Sequence, residues 1–153
     1  MTSLAFDVIT RLQGKTLATA ESCTGGGIGD ALTAVSGASK VYKGGVISYC
    51  NEIKQKLLDV PEAILSKHGA VSDPVAKAMA QGVRNVLNAD VAVSVTGLAG
   101  PSGDEFGNPV GTVYVGYADE IQCVSRHFVF CGDRESIRKQ ATDAALALIL
   151  EYV

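Results

Sequence analysis

The sequence predicts an α/β fold, a three-layer α/β/α sandwich whose mixed, mainly parallel sheet ends in an antiparallel hairpin. Segments with helical apolar periodicity separate the first three strand-like segments, which is typical of parallel strands covered by helices on both faces. Two further strand-like segments, residues 110–117 and 121–131, are separated by three residues. Because so short a link holds no crossover helix, these two strands must pair antiparallel.

The first part of the chain alternates helices and strands. Apolar residues at helical spacing predict a helix over residues 4–12, and residues 16–20 predict the first strand. A second helix is expected over about 24–35, with Thr24 as a residue suited to its N-cap. Residues 45–50 predict the second strand.

Three helices are expected before the third strand. Asn51 is suited to cap a helix over residues 52–59, and Pro61 to open a short second one. Ser72 or Asp73 is suited to cap the third helix. These helices supply the crossover that a further parallel strand requires.

The second part of the chain begins with an unbroken run of small apolar residues at 91–96, which predicts a strand buried on both faces. A glycine-containing loop over 97–109 leads to the hairpin, and the last helix is expected to start near Asp133. Its predicted buried stripe consists of Ile137, Ala141, Ala144, Ala145, Leu148 and Tyr152.

Composition excludes several classes of protein. The 153 residues, 47% hydrophobic and 19% charged, fit one domain over residues 1–153 and exclude intrinsic disorder. A net charge of -3 argues against direct binding to a nucleic-acid backbone. No apolar run approaches the roughly 20 residues of a membrane span. The first residues lack the basic region of a secretory signal, so we expect a cytoplasmic protein that binds no membrane.

Cysteine and histidine usage predicts no metal site. The four cysteines form no CxxC pair, and the chain has two histidines, so the spacing of a structural zinc site is absent. A chain of this size and apolar content does not need disulfides. We therefore expect reduced and mostly buried thiols at Cys23, Cys50, Cys123 and Cys131.

A serine in a glycine-rich turn follows the first predicted strand. Residues 21–27 read ESCTGGG, and a helix follows them. Backbone N–H groups and the dipole at a helix N-terminus attract anions, so Ser22 is a candidate nucleophile with N–H groups around Thr24, Gly25 and Gly26 as oxyanion donors. The same pattern also fits an N-cap serine in a purely structural turn.

A serine nucleophile needs a base, and the chain has few histidines to offer. His68 lies near a predicted helix end and His127 within a predicted strand, and both also fit ordinary surface or packed positions. Lys54, about one turn into the helix after the second strand, can act as base if burial keeps it neutral. Tyr49, at the end of that strand, can relay the proton. Lys54 also fits a solvated helix face.

The loop after the third strand combines a hydroxyl with spaced glycines. Thr96, Gly97 and Gly100 suit the binding of a phosphate or a sugar through backbone N–H groups. An ordinary glycine loop is the alternative interpretation.

Two arginines lie one turn apart at the start of the last helix. Arg134 and Arg138 can clamp a phosphate, although their charge opposes the helix dipole at this end. Pairing with Asp133 and Glu135 is the structural alternative.

Four motifs in this order resemble the CinA C-terminal domain family. They are AESCTGG at 20–26, GGVISY at 44–49, TGLAGP at 96–101 and GDR at 132–134. The resemblance covers almost the whole chain and is to the stand-alone form of the domain, which lacks the N-terminal partner found in some members. It implies an amidase that hydrolyses nicotinamide mononucleotide to nicotinate mononucleotide and ammonia.

Carried over by motif, the resemblance implies Ser22 as nucleophile and Tyr49 with Lys54 as the activating pair, without a metal or other cofactor. We expect a homo-oligomer that acts on a small-molecule nucleotide. The alternative within the family is a catalytically silent nucleotide-binding module or an interaction module associated with competence and DNA damage. The substrate contacts that we expect are Thr24, Gly25, Gly26, Asn51, Thr96, Gly97, Gly100, Arg134 and Arg138.

Overall fold

The computed structural model describes residues 3–153 and, within them, one five-stranded sheet. The strands are β1 (Leu17–Glu21), β2 (Tyr42–Ile47), β3 (Val91–Gly97), β4 (Thr112–Ala118) and β5 (Cys123–Val129). The α-helices are α1 (Leu4–Arg11), α2 (Gly27–Thr33), α3 (Asn51–Leu58), α4 (Glu62–His68), α5 (Asp73–Val86) and α6 (Arg134–Tyr152), with a 3₁₀ turn at Ala38–Lys40.

The sheet is mixed, with strand order β2-β1-β3-β4-β5. β1 pairs in parallel with β2 and with β3, whereas β3–β4 and β4–β5 are antiparallel. The predicted α/β sandwich with an edge hairpin is therefore confirmed. Because β1, β2 and β3 run in the same direction, their carboxyl ends meet at one edge of the sheet, where open α/β sheets bind ligands.

Helices cover both faces of the sheet. α1, α2 and α6 pack against one face, and α3, α4 and α5 lie on the other. Alternate strand residues enter the two cores, since Leu17 faces the first helical layer and Ala18 the second. β3 behaves in the same way, with Val93 in one core and Ala92 in the other, and both are fully buried. The apolar run at 91–96 thus forms the doubly covered strand that was predicted.

The position of α3 depends on its close approach to α5. A side chain at Gly82 would overlap the backbone of Leu58, the last residue of α3. Glycine at this position lets the two helix backbones touch, and Asp59 then ends α3 in the left-handed conformation with φ 59°. The C-terminal end of α3 is therefore seated directly against α5.

Two element boundaries differ from the predictions because of glycine. The second strand covers Tyr42–Ile47 rather than 45–50, since Gly45 lies in the sheet against Thr19 of β1, where a side chain would overlap. The second helix begins at Gly27 rather than Thr24, because Gly25 and Gly26 have φ values of +58° and +103°. The turn that carries Ser22 is consequently longer than the pattern predicted.

The expectation of mostly buried thiols is wrong. All four cysteines are free, but only Cys23 is buried. Cys50 precedes α3, Cys131 precedes α6 and Cys123 opens the edge strand β5, so these three lie where the chain meets solvent. No helix within residues 3–153 is both long and apolar enough to cross a membrane.

Candidate active site

Ser22 and Lys54 meet at the carboxyl edge of the sheet. Ser22 directly follows β1, and its backbone N–H donates to the carbonyl of Val95 in β3 at 3.0 Å. Lys54 projects from α3 until its Nζ lies 3.3 Å from the Oγ of Ser22. Lys54 is 1% exposed and Ser22 is 7% exposed. The alternative of a solvated helix face for Lys54 is therefore wrong.

The surroundings of Lys54 favour its neutral form. Nζ donates to the carbonyl oxygen of Ser48 at 2.7 Å, and the ion pairs found within residues 3–153 all involve other side chains. Burial holds the pKa of Lys54 below its ordinary value, against weaker opposing influences from Cys50 and Cys23. Because a buried charge without a partner is costly, the amine is poised to lose its proton. Its lone pair is then available to the Ser22 hydroxyl.

A buried glutamate organises the turn after β1. Glu21 is 2% exposed, and its carboxylate accepts from the Thr24 hydroxyl at 2.7 Å. It also accepts from the backbone N–H groups of Ile28 and Gly29 at 2.9 and 3.0 Å. The protein's own carboxylate therefore occupies the N-terminus of α2, which the sequence had suggested for a substrate anion. Sequence reasoning missed this role, although an acidic residue just before a helix start was a usable signal.

Glu21→Gln is expected to lower the free energy of unfolding by about 2 kcal/mol, since an amide nitrogen would face an N–H donor where a carboxylate oxygen now accepts. Urea denaturation measures the change through the transition midpoint at constant slope. The matched control is Glu52→Gln, an exposed glutamate in the first turn of α3, which is expected to change stability by no more than about 0.5 kcal/mol. Equal destabilisation by both substitutions would contradict this role of Glu21.

Arg138 supports the same turn from α6. Its Nε donates to the carbonyl of Cys23 at 3.0 Å and its Nη2 to the carbonyl of Thr24 at 3.1 Å. Within the turn, the Gly25 N–H donates to the Ser22 carbonyl at 3.1 Å. Arg138, Thr24 and Gly25 therefore make contacts within the turn that carries Ser22.

A cavity of about 270 Å³ opens over Ser22. Its walls come from the loops after β1, β2 and β3, from the α4–α5 connection and from the start of α6. Of the predicted site residues, it brings together Ser22, Tyr49, Thr96, Gly97, Gly100 and Arg134. It does not contain Thr24, Gly25, Gly26 or Arg138, which lie in or against the turn.

Asn51 lines a second, larger cavity of about 600 Å³. This cavity shares the wall residues Ala70, Val71 and Leu98 with the first, so the two adjoin. It does not contain Ser22, and Lys54, buried beneath Ser22, lines neither cavity. The smaller cavity, which contains Ser22, is therefore the candidate reaction site, and the larger one lies beside it.

Arg134 spans the mouth of the smaller cavity. Its Nη1 donates to the carbonyl of Gly100 at 2.5 Å and its Nη2 to the hydroxyl of Tyr49 at 3.1 Å. Asp133 caps α6 by accepting from the N–H of Ser136 at 2.8 Å, so it does not pair with Arg134. Among residues 3–153, no carboxylate forms an ion pair with Arg134, and the Tyr49 hydroxyl contacts Arg134 rather than Ser22 or Lys54.

Six wall residues were not predicted: Leu98, Ala99 and Ser102 lie in the loop after β3, and Cys23, Ala70 and Val71 lie outside it. Cys23 follows the candidate nucleophile, and burial raises the pKa of its thiol to about 11, so it stays protonated and unreactive at neutral pH. Ala70 and Val71 come from the α4–α5 connection, and the Ala70 carbonyl accepts from the Thr96 hydroxyl at 2.8 Å. Small apolar residues in a connection carry no local signal of a cavity.

Fold and site together define an α/β/α sandwich domain with a buried serine–lysine pair at the carboxyl edge of its sheet. The model of the CinA C-terminal domain matches residues 2–153. The chain therefore belongs to the CinA C-terminal domain family.

The curated relatives are longer than this chain. A CinA-like protein from Parasynechococcus marenigrum is 52% identical over 134 residues, which cover 86% of this chain and 32% of the relative. A CinA-like protein from Geobacter sulfurreducens is 48% identical over 136 residues, which cover 89% of this chain and 33% of the relative. The chain thus spans about a third of the length of the curated relatives that it matches.

Solved structures show the same fold. A competence-damaged protein (CinA) superfamily protein from Escherichia coli is 36% identical with a TM-score of 0.95, covering 98% of this chain and 88% of that one. A CinA superfamily protein from Klebsiella pneumoniae is 36% identical with a TM-score of 0.94, covering 97% of this chain and 94% of that one.

Proposed function

We propose that this chain hydrolyses the carboxamide of nicotinamide mononucleotide to nicotinate mononucleotide and ammonia. The observation that carries the proposal is the 3.3 Å approach of Lys54 Nζ to Ser22 Oγ, because it joins a nucleophile to a base whose pKa is lowered by burial. The geometry supports serine-based acyl transfer, and the resemblance to the CinA family supplies the particular amide.

In the first half of the reaction, Ser22 Oγ attacks the carboxamide carbon while Lys54 Nζ takes the hydroxyl proton. The carbonyl oxygen becomes an oxyanion. We assign its stabilisation to the backbone N–H of Cys23, which lines the cavity next to the nucleophile, since the Gly25 N–H already donates within the turn. Lys54 then returns the proton to the departing nitrogen as the C–N bond breaks, which releases ammonia and leaves an ester on Ser22.

In the second half, a water molecule attacks the ester carbon and gives a proton to Lys54. Collapse of the second tetrahedral intermediate breaks the bond to Ser22 Oγ, which recovers the proton from Lys54. The product leaves as the acid and gives its remaining carboxyl proton to solvent, which yields the nicotinate carboxylate, and both residues return to their starting forms. One base therefore serves both halves of the reaction, as its position between the Ser48 carbonyl and the nucleophile permits.

The remaining walls of the cavity suit the rest of the mononucleotide. Arg134 offers at the mouth a guanidinium that no carboxylate within residues 3–153 neutralises, and a guanidinium fork matches the geometry of a phosphate. The loop at Gly97 and Gly100 brings bare backbone close to the ligand. The positive charge of the substrate's pyridinium ring also draws electrons from the amide and eases attack on it.

Ammonia release from nicotinamide mononucleotide, its riboside and the dinucleotide tests the proposal. We expect steady-state release from the mononucleotide without an added metal. Tight binding of the mononucleotide without ammonia release would instead favour a silent nucleotide-binding module. Salt-dependent binding of DNA in a shift assay, with no amide turnover, would favour an interaction module linked to DNA damage.

A further inference from the structure

We propose that Tyr49 is a positioning residue that holds Arg134 over the cavity, and that it does not carry the proton between Ser22 and Lys54. This inference rests on the proposed function, because it assigns a role within that reaction. It departs from the activating role for Tyr49 that the family resemblance implied.

The contacts of Tyr49 point away from the proton path. Its hydroxyl accepts from Arg134 Nη2 at 3.1 Å, the one hydrogen bond that it makes within residues 3–153, and the residue is 62% exposed. Ser22 Oγ and Lys54 Nζ are already 3.3 Å apart. A proton passing between two such neighbours needs no carrier, and an exposed phenol is poorly placed to act as one.

The contacts of Arg134 show what Tyr49 contributes. The guanidinium has five N–H donors, and both of its acceptors here, the Gly100 carbonyl and the Tyr49 hydroxyl, are neutral. The two acceptors come from different loops, so together they fix the plane of the guanidinium across the mouth of the cavity. Its charge and remaining donors stay available to an anion. An arginine held in this way binds a phosphate without first losing side-chain freedom.

The test compares Tyr49→Phe with the wild type on two substrates. The variant keeps the ring and removes the acceptor for Arg134. With nicotinamide mononucleotide we expect KM to rise about 10-fold and kcat to fall less than about threefold, because phosphate binding loses preorganisation while the serine–lysine pair is untouched. The pH dependence of kcat/KM is expected to be the same in Tyr49→Phe as in the wild type, because the Lys54 pKa sets it in both. With the riboside, which has no phosphate, we expect a change in KM below about twofold.

The matched control is Tyr152→Phe, which removes a tyrosine hydroxyl at the opposite end of α6, roughly 27 Å from Arg134 along the helix. It is expected to leave the kinetics at wild-type values. A second test places Tyr49→Phe in an Arg134→Lys background, where it should have little further effect on KM, because lysine lacks the fork that the tyrosine holds.

Distinct outcomes overturn the inference. A fall in kcat of about 100-fold or more in Tyr49→Phe, with a displaced pH profile, would identify a proton carrier. An equal rise in KM for mononucleotide and riboside, or full additivity with Arg134→Lys, would show that Tyr49 does not act through Arg134. If the riboside is not turned over, the mononucleotide data alone test the inference: a raised KM with nearly unchanged kcat supports a positioning role, and a large fall in kcat contradicts it. Absence of ammonia release by the wild type would overturn the proposed function itself.

Discussion

Ser22→Ala is expected to lower kcat for ammonia release from nicotinamide mononucleotide by on the order of 10³ or more. The substitution removes the hydroxyl oxygen that lies 3.3 Å from Lys54 Nζ, and this oxygen is the bond-forming atom of the proposed acyl transfer. The expected effect is on kcat, with little on KM, because the other walls of the cavity remain. Steady-state ammonia release at saturating substrate measures it.

The fold should survive this substitution. The side chain of Ser22 contributes one hydrogen bond within residues 3–153, and its backbone N–H still donates to the Val95 carbonyl in the variant. The free energy of unfolding, measured by urea denaturation, is therefore expected to fall by about 1 kcal/mol or less. Ser36→Ala, at an exposed serine after α2, is the matched control and should retain wild-type kcat. A folded Ser22→Ala variant with near wild-type kcat would show that another group attacks the amide.

Lys54→Met is expected to lower kcat/KM by on the order of 10³ as well, because methionine fills the buried space but accepts no proton. Wild-type kcat/KM should rise with pH as Lys54 loses its proton, through a pKa that burial holds below the ordinary lysine value. The residual kcat/KM of the variant should lack this rise with pH. Ammonia release measured across a pH series reports both effects.

Stability measurements separate loss of the base from loss of the fold. Between the lowered pKa of folded Lys54 and its higher pKa in the unfolded chain, the unfolded chain binds more protons, so the free energy of unfolding of the wild type rises with pH in that window. Lys54→Met should remove this rise and remain fully folded. Lys56→Met, at an exposed lysine on the same helix, is the kinetic control. If kcat/KM of Lys54→Met still rises with pH as in the wild type, another group is the base.

Local patterns predicted the fold class because burial repeats along each element. The run at 91–96 predicted a strand covered on both faces, and the three-residue link before residue 121 required antiparallel neighbours. Boundaries were less predictable at glycines. The prediction started the second strand at Gly45, whereas the strand begins at Tyr42. Glycine stands at position 45 because a side chain there would overlap Thr19 of β1, and no local pattern reveals that contact.

The site residues divide in the same way. Ser22 and Lys54 were named from their places after strands, but only the packed structure shows that Lys54 is buried and lies against Ser22. Arg134 and Arg138 looked equivalent in the sequence, one turn apart. In the structure, Arg138 holds the turn around Ser22, while Arg134 reaches the cavity mouth.

The single-domain boundaries, the homo-oligomer and the cytoplasmic location stay predictions.

The sequence by itself determined the layers, the direction of the strands and the loops that carry the polar groups, since each depends on periodicity and connection length within one segment. Only the tertiary structure decided which of those groups act together. It placed Lys54 under Ser22 without a carboxylate partner, gave the α2 N-terminus to Glu21 and joined Tyr49 to Arg134. The physical reason is that burial, and with it the charge state of Lys54, is a property of the packed neighbours of a side chain rather than of its position in the chain.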